Sequence, residues 1–246
     1  MIVNDFANLG YIVDKLPDDV LKIIKEHVEQ VAKKMKEDPS LAPHSIEEIF
    51  PNEPKKRENY RWSREAYPEL YKVVEPYVKK ISSTYKNLYK YPNVLISAYD
   101  NGTQKNMNYV EVDQMKMDCI WANFQKKHQW LPMHMHNALY SFIIYINIPY
   151  DIKEELNHPD YQTAKTGAFI NFIYTNVVGR VSKLEIALSK EWEGSIIFFP
   201  GDLNHVVYPF VSSDGYRISV AGNVVYDDGG PIRTAVGARK DKSPRE

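Results

Sequence analysis

The sequence predicts an α+β fold that is mainly β, a jelly roll with N-terminal helices packed outside it. Residues 1–90 contain long stretches with apolar residues at helical spacing. In residues 91–226, short β-branched and aromatic runs alternate with Gly, Pro, Asn and Asp, as in double-sheet jelly rolls. Helices packed outside such a body make one α+β domain. We therefore expect a single domain over 1–226, followed by a polar tail at 227–246.

Two helices are predicted in the N-terminal part. In residues 17–38, apolar residues recur at spacings of three and four, and Asp18 or Asp19 can cap the first turn. A second helix is expected at about 63–89, where a proline could introduce a kink. The polar and proline-rich stretch between the helices, 37–62, is predicted to be a loop.

The β body begins with a short strand that ends in an Asn-Gly turn signal. The next run alternates apolar and polar residues over part of its length, as a half-buried strand does. The predicted strands, in chain order, are 94–102, 115–125, 139–148, 167–178, 183–189, 194–200, 204–210 and 216–226.

Composition argues against several classes of protein. Hydrophobic residues make up 43% of the chain, enough to fill a core, and the 31 Lys and Arg balance the 32 Asp and Glu, so no global basic field points to nucleic acid. The single cysteine, Cys119, cannot form an internal disulfide, which favours a cytoplasmic setting. We expect no signal peptide and no membrane span, because the chain lacks apolar runs of the required kind.

Two histidines stand one residue apart at the start of an apolar run. His134 and His136 would project to the same face if residues 133–137 are extended, because side chains i and i+2 share a face of a strand. His205 lies in a later run that suits another strand of the same barrel. Three converging imidazoles suit Fe, Zn, Cu or Ni and leave coordination positions open. His-x-His alone is a weak signal, since histidines at a strand edge can simply be exposed.

An arginine and a serine share a face of the last predicted strand. Arg217 and Ser219 lie two residues apart in the apolar run YRISV. A buried cation is costly unless it pairs with an anion, and the guanidinium fork binds carboxylates in a bidentate manner. The two residues could hold a small dicarboxylate beside the metal. Alternatively, Arg217 could pair with a structural Asp or Glu at the rim of the barrel.

Three stretches occur in a specific order: His-x-His before LYSFIIYINIP, then GSIIFFPGDLNHVVYPF, then YRISVAGNV. Together they resemble the Fe(II)- and 2-oxoglutarate-dependent oxygenases, in particular the branch common in phages and marine bacteria. The resemblance covers about residues 115–226, under half of the chain. It implies a double-stranded β-helix, which is the jelly roll already predicted from the strands.

The resemblance also implies roles for individual residues. His134 and His205 match iron ligands, and Arg217, helped by Ser219, matches the group that binds the far carboxylate of 2-oxoglutarate. The implied cofactors are Fe(II) and the co-substrate 2-oxoglutarate, with dioxygen and an unidentified substrate as the other partners. The implied reaction is an oxidation, most simply a hydroxylation, with release of succinate and CO2.

The third iron ligand is left open by the sequence. The wider superfamily carries a carboxylate two residues after the first histidine, whereas this chain carries His136 there. We favour a site of three histidines. His136 could instead lie behind the ligands, or a carboxylate from elsewhere, such as Asp202, could complete the site.

Other polar and aromatic residues could line the pocket. Asn123 and Gln125, one strand earlier, could bond the keto acid or could be exposed polar positions of a half-buried strand. Tyr145 could donate its hydroxyl into the pocket or pack in the core. Trp121 is expected in the core.

Two other functions remain compatible with the sequence. One is a cupin-like metalloprotein that does not use 2-oxoglutarate, although such a protein has no need of the Arg217 clamp. The other is a non-enzymatic jelly-roll binding or structural protein, in which the histidines need not converge. Residues 101–113 and 151–166 are candidate substrate lids. The helix at 67–89 could serve a homodimer interface as easily as it covers the barrel.

Overall fold

The computed structural model describes residues 10–38, 58–89, 96–100, 103–107, 114–159 and 167–227. Its helices are α1 (Asp18–Glu37), α2 (Pro68–Tyr89) and α3 (Ile152–Asn157). Its strands are β1 (Ile12–Lys15), β2 (Glu58–Trp62), β3 (Ile96–Asp100), β4 (Thr103–Met107), β5 (Met115–Gln125), β6 (Leu131–His134), β7 (Tyr140–Asn147), β8 (Phe169–Thr175), β9 (Val181–Ala187), β10 (Ser195–Pro200), β11 (Asn204–Val207) and β12 (Arg217–Tyr226).

Two antiparallel sheets form the body. The large sheet has the strand order β1-β10-β7-β12-β5-β2, and the small sheet has the order β6-β11-β8-β9. From β6 to β12 the chain passes repeatedly between the two sheets, which is the winding of a double-stranded β-helix. The predicted fold class is therefore confirmed.

The large sheet is buried on both faces. On β10, Ile196 and Phe198 pack into the cluster that contains the helices, whereas Ile197 and Phe199 pack into the cluster that contains the small sheet. Successive side chains of a strand point to opposite faces, so an unbroken apolar run fits a strand that is covered on both sides. The N-terminal helices thus lie outside the β body, as predicted.

The two long helices lie close to their predicted positions. Helix α1 has Pro17 at its N-cap and no capping side chain, so the predicted cap by Asp18 or Asp19 is wrong, although both acids lie in the first turn, where the helix dipole favours negative charge. Helix α2 begins at Pro68 rather than at residue 63, since proline suits the first turn of a helix, and it continues through Pro76.

Several elements lie where the sequence predicted loops. Strand β2 falls in the stretch predicted as a loop, because it is formed by pairing with β5 rather than by an apolar pattern. Part of the first candidate lid is β4, which forms a hairpin with β3, and part of the second is α3. The rest of both candidate lids, and the tail after residue 227, lie outside the described residues. The division into one domain and a tail stays a prediction.

None of the helices in the described segments is both long and apolar enough to cross a membrane.

A buried carboxylate ties α3 to the segment that leads into β12. Glu155 is fully buried, and its carboxylate accepts hydrogen bonds from the backbone N–H groups of Val211, at 3.0 and 3.1 Å, and Ser212, at 2.6 Å. Replacing Glu155 with alanine would leave both donors unsatisfied in the interior. We expect the free energy of unfolding to fall by about 3 kcal/mol. Urea unfolding measures this, with the exposed neighbour change Glu154→Ala as the control, and equal stability of both variants would contradict the expectation.

Candidate metal centre

Strand register brings two of the three histidines together. Strands β6 and β11 pair antiparallel, and His134 and His205 are direct partners across the pair. Side chains that oppose one another in this way lie on the same face of the sheet. The two ring centroids are 4.2 Å apart.

The third histidine reaches the same place from a loop. Strand β6 ends at His134, so His136 lies beyond the strand. The backbone N–H of His136 donates to the carbonyl of Gly201 at 2.7 Å, which fixes the loop against the turn between β10 and β11. Gly201 suits this close approach, because a Cβ there would lie 2.2 Å from the carbonyl oxygen of Ala138. The His136 ring lies 5.2 Å from each of the other two rings.

The three imidazoles have a geometry that suits one metal ion. One ring nitrogen from each of His134, His136 and His205 lies within 4.8 Å of the others. Two metal–nitrogen bonds of about 2.1 Å can join atoms up to about 4.2 Å apart, so modest rotation of the side chains would place all three on one ion. Within the described residues no carboxylate belongs to this cluster, and Asp202 is not a member.

Hydrogen bonds set which ring nitrogens face the centre. Nδ1 of His134 lies 2.7 Å from the carbonyl of Pro132, and Nδ1 of His205 lies 3.0 Å from the carbonyl of Leu203. In a neutral imidazole, an Nδ1–H that donates to a carbonyl leaves the Nε2 lone pair free for a metal. The ring of His136 stacks on Trp121, with 5.7 Å between centroids.

The metal-free protein is expected to lose stability as the pH falls from about 6.5. Burial, and then the neighbouring His134, lower the pKa of the His205 imidazole from 6.5 to about 3. As the pH falls, His205 of the unfolded chain therefore binds a proton at a higher pH than His205 of the folded protein does. The contribution of neutral His205 is fully present above pH 6.5 and declines until pH 3.

Urea unfolding at pH 7 and pH 4 would measure this dependence in the metal-free wild type and in a His205→Gln variant. The wild type should lose more free energy of unfolding than the variant between the two pH values. Equal losses would show that His205 does not carry the dependence.

A cavity of about 240 Å³ extends from the histidines. Seven of the residues that the sequence singled out for the site line it, and they come from both sheets. These residues are His134, His136, His205, Arg217, Ser219, Asn123 and Tyr145.

Arg217 is a buried cation at one side of this cavity. It is 2% exposed, and its guanidinium donates to Oε1 of Gln125 at 2.7 and 3.2 Å, to the hydroxyl of Tyr150 at 3.1 Å and to the carbonyl of Tyr208 at 2.7 Å. Every one of these acceptors is neutral. The structural ion pair that the sequence left open is not formed with any described residue.

Three polar side chains form a row across the large sheet next to Arg217. Ser219 on β12 pairs with Asn123 on β5 and with Tyr145 on β7. Nδ2 of Asn123 donates to Oγ of Ser219 at 3.4 Å, while its buried Oδ1 has no partner among the described residues. Tyr145 is 2% exposed, burial raises the pKa of its phenol, and its hydroxyl bonds to no described group.

Sequence reasoning missed or misplaced other residues of the site. Gln125 holds Arg217 instead of lining the pocket, and Tyr150, which no pattern singled out, also bonds Arg217. Trp121, which was expected in the core, packs against the core cluster that contains the small sheet and also lines the cavity. Trp121 lies two residues before Asn123 and therefore on the same face of β5, which was the signal in the sequence that Trp121 would line the cavity.

Comparison with known proteins points to one family. Residues 119–223 match the family described as "Putative 2OG-Fe(II) oxygenase", in which 2OG stands for 2-oxoglutarate. None of the curated proteins compared with the chain matches it.

Solved structures match the chain at low sequence identity. AviO1 from Streptomyces viridochromogenes Tue57 is 10% identical with a TM-score of 0.51, over 91% of this chain and 93% of that chain. A prolyl-4-hydroxylase from Pseudomonas putida is 11% identical with a TM-score of 0.45, over 87% and 91%. HygX from Streptomyces hygroscopicus, solved with nickel, 2-oxoglutarate and hygromycin B bound, is 10% identical with a TM-score of 0.43, over 89% and 83%. The likeness to AviO1 shows a common fold.

The matched region contains β6 to β11 and most of β5 and β12. It also contains the seven cavity residues that the sequence had singled out. The match to the family described as "Putative 2OG-Fe(II) oxygenase" therefore covers the part of the chain that forms the site.

Proposed function

We propose that this protein is an Fe(II)- and 2-oxoglutarate-dependent oxygenase that hydroxylates a substrate still to be identified, with release of succinate and CO2. One observation carries the proposal: a buried arginine without a carboxylate partner among the described residues shares a cavity with three convergent histidines. A metal site and an anion site in one cavity are what a metal-chelating dicarboxylate requires.

The charge of Arg217 supports a dicarboxylate rather than a neutral ligand. A buried cation is destabilising unless an anion offsets it, and hydrogen bonds to neutral acceptors compensate only part of that cost. Gln125 and the carbonyl of Tyr208 hold the guanidinium in place, so it is preorganised to bind the far carboxylate of 2-oxoglutarate. Ser219 and Tyr145 line the same cavity and would add hydrogen bonds to the bound keto acid.

Three histidines would hold the metal. His134, His136 and His205 each offer one nitrogen, which leaves room for the keto acid and dioxygen around the ion. When bound, Fe(II) and 2-oxoglutarate would activate dioxygen, the oxidant of the reaction, which side chains alone cannot do. The residues of this chain orient the two groups, and the buried walls formed by Phe199 and Ile143 keep water away from them.

The other two functions have less support. A cupin-like metalloprotein has no use for a buried carboxylate clamp, and a non-enzymatic jelly roll has no need to gather three histidines around one cavity. The cytoplasmic setting, the relation to phage proteins and the homodimer stay predictions.

The test is a spectrum recorded without oxygen. Metal-free protein is mixed with Fe(II) and 2-oxoglutarate, and the weak visible charge-transfer band of the iron–keto acid chelate is measured. We expect the band to form and, after admission of oxygen and a substrate panel, succinate to be released. Iron binding without the band would favour the cupin-like alternative. No iron binding would overturn both enzyme functions.

A further inference from the structure

A β-bulge faces the cavity at a distance from the arginine. Where β5 pairs with β12, the register shifts, and Asp118 and Cys119 together oppose the single residue Asn223. A bulge re-aims side chains out of the normal alternation of a strand. All three residues line the cavity.

The bulge lies at the far end of the site from Arg217. Alternate residues of β12 line the cavity, and the last is six positions after the first, which is about 20 Å along a strand. These residues are Arg217, Ser219, Ala221 and Asn223.

The histidines lie between these two ends. Ala221 pairs with Trp121 across β12 and β5, and the ring of His136 stacks on Trp121. The order along the cavity is therefore the buried arginine, the polar row at Ser219, the histidines, and then the bulge. A metal at the histidines would have the keto acid on one side and the bulge on the other.

The carboxylate at the bulge is short of partners. Asp118 is 6% exposed, and its buried Oδ1 has no hydrogen-bond partner in the described part of the chain. Burial raises the pKa of this carboxyl, although a hydrogen bond with Cys119 and the charges of Arg61 and Lys116 act in the opposite direction. Arg61 lines the same cavity, and the salt bridges among the described residues do not include a pair between Arg61 and Asp118. A buried carboxylate oxygen without a hydrogen bond is stabilised by any hydrogen-bond donor that reaches it.

We propose that Asp118 binds a protonated amino group of the substrate, so that the substrate is a small amine or a side chain that ends in one. This assignment rests on the proposed function, because the reacting carbon would lie between Asp118 and the histidines. Charge then separates the two ligands. The carboxylates of the keto acid are repelled by Asp118 and attracted by Arg217, whereas an ammonium group has the opposite preference. Cys119 and Asn223 complete the walls around the amine.

The assignment is tested by binding rather than by turnover. Metal-free protein labelled with ¹⁵N is titrated with methylamine, 1-aminobutane, 1,4-diaminobutane and lysine, and with the hydroxyl analogue of each, while amide resonances are recorded. We expect at least one amine to bind at least tenfold more tightly than its hydroxyl analogue. The resonances that shift should belong to residues around Asp118 and Asn223, a criterion that needs no variant.

An isosteric variant tests the residue itself. Asp118→Asn should abolish the preference for amines over hydroxyl analogues, whereas Asp214→Asn, which changes a carboxylate exposed outside the cavity, should retain it. The assignment is overturned if no amine is preferred, if the shifts map elsewhere, or if a folded Asp118→Asn protein keeps the preference. The iron–keto acid band tests the proposed function separately. A band without an amine preference would overturn only the assignment of Asp118, and an amine preference without the band would overturn only the oxygenase.

Discussion

Replacing His136 with alanine is expected to lower the affinity for Fe(II) at least a hundredfold, as much as His205→Ala does. The reason is that all three histidines present a nitrogen within 4.8 Å of the others, and no carboxylate of the described residues joins them. Loss of a side chain that hydrogen-bonds to a metal ligand typically weakens metal binding tenfold to a hundredfold, and loss of a ligand itself should exceed that range. Fe(II) affinity is measured without oxygen by competition with a coloured chelator.

Two controls decide between the interpretations that the sequence left open. Asp202→Asn should bind Fe(II) like the wild type, because this residue is exposed and lies outside the cluster. His158→Gln, in the loop after α3, should also leave binding unchanged. Full Fe(II) affinity in His136→Ala together with a loss in Asp202→Asn would mean that a carboxylate completes the site, and the three-histidine centre would be wrong.

Replacing Arg217 with leucine is expected to raise the dissociation constant of 2-oxoglutarate about a hundredfold without changing Fe(II) affinity. In the proposed function the guanidinium would meet the far carboxylate, and hydrogen bonds to charged groups contribute about 1.5–3 kcal/mol each. A factor of one hundred corresponds to about 2.7 kcal/mol, which lies within the range for one such bond. Titration of the charge-transfer band with 2-oxoglutarate gives the constant.

A conservative change separates charge from shape at this position. Arg217→Lys keeps the positive charge but loses the fork that Gln125 and Tyr208 orient, so we expect an intermediate loss of about tenfold. Arg180→Leu, at the exposed turn between β8 and β9, is the matched control and should bind 2-oxoglutarate normally. Wild-type affinity in Arg217→Leu would remove the main support for a 2-oxoglutarate site.

The helices and the central strands could be read from the sequence because their signals are local. Apolar residues at spacings of three and four place α1 within one residue of its predicted ends. The unbroken apolar run of β10 identifies a strand that is buried on both faces. Edge strands such as β2 carry no such pattern, because half of their surroundings is solvent and only their pairing with a neighbour makes them strands.

The residue types of the site were also visible in the sequence, but some of the contacts that bring them together were not. His134 and His136 were expected to converge by strand alternation, whereas His136 leaves the strand and is held by a hydrogen bond to Gly201. Similarly, Gln125 was a candidate for the site, and in the structure its Oε1 accepts hydrogen bonds from Arg217.

The sequence by itself determined which side chains are available: three histidines, a cation inside an apolar strand, and the apolar runs that bury them. Only the tertiary structure decided which of them meet. His205 meets His134 through the register of β6 and β11, and Asp118 reaches the cavity through a bulge opposite Asn223. Such register shifts arise from hydrogen bonds between strands far apart in the chain, and the competition among those pairings depends on the packing of the whole barrel rather than on any local run of residues.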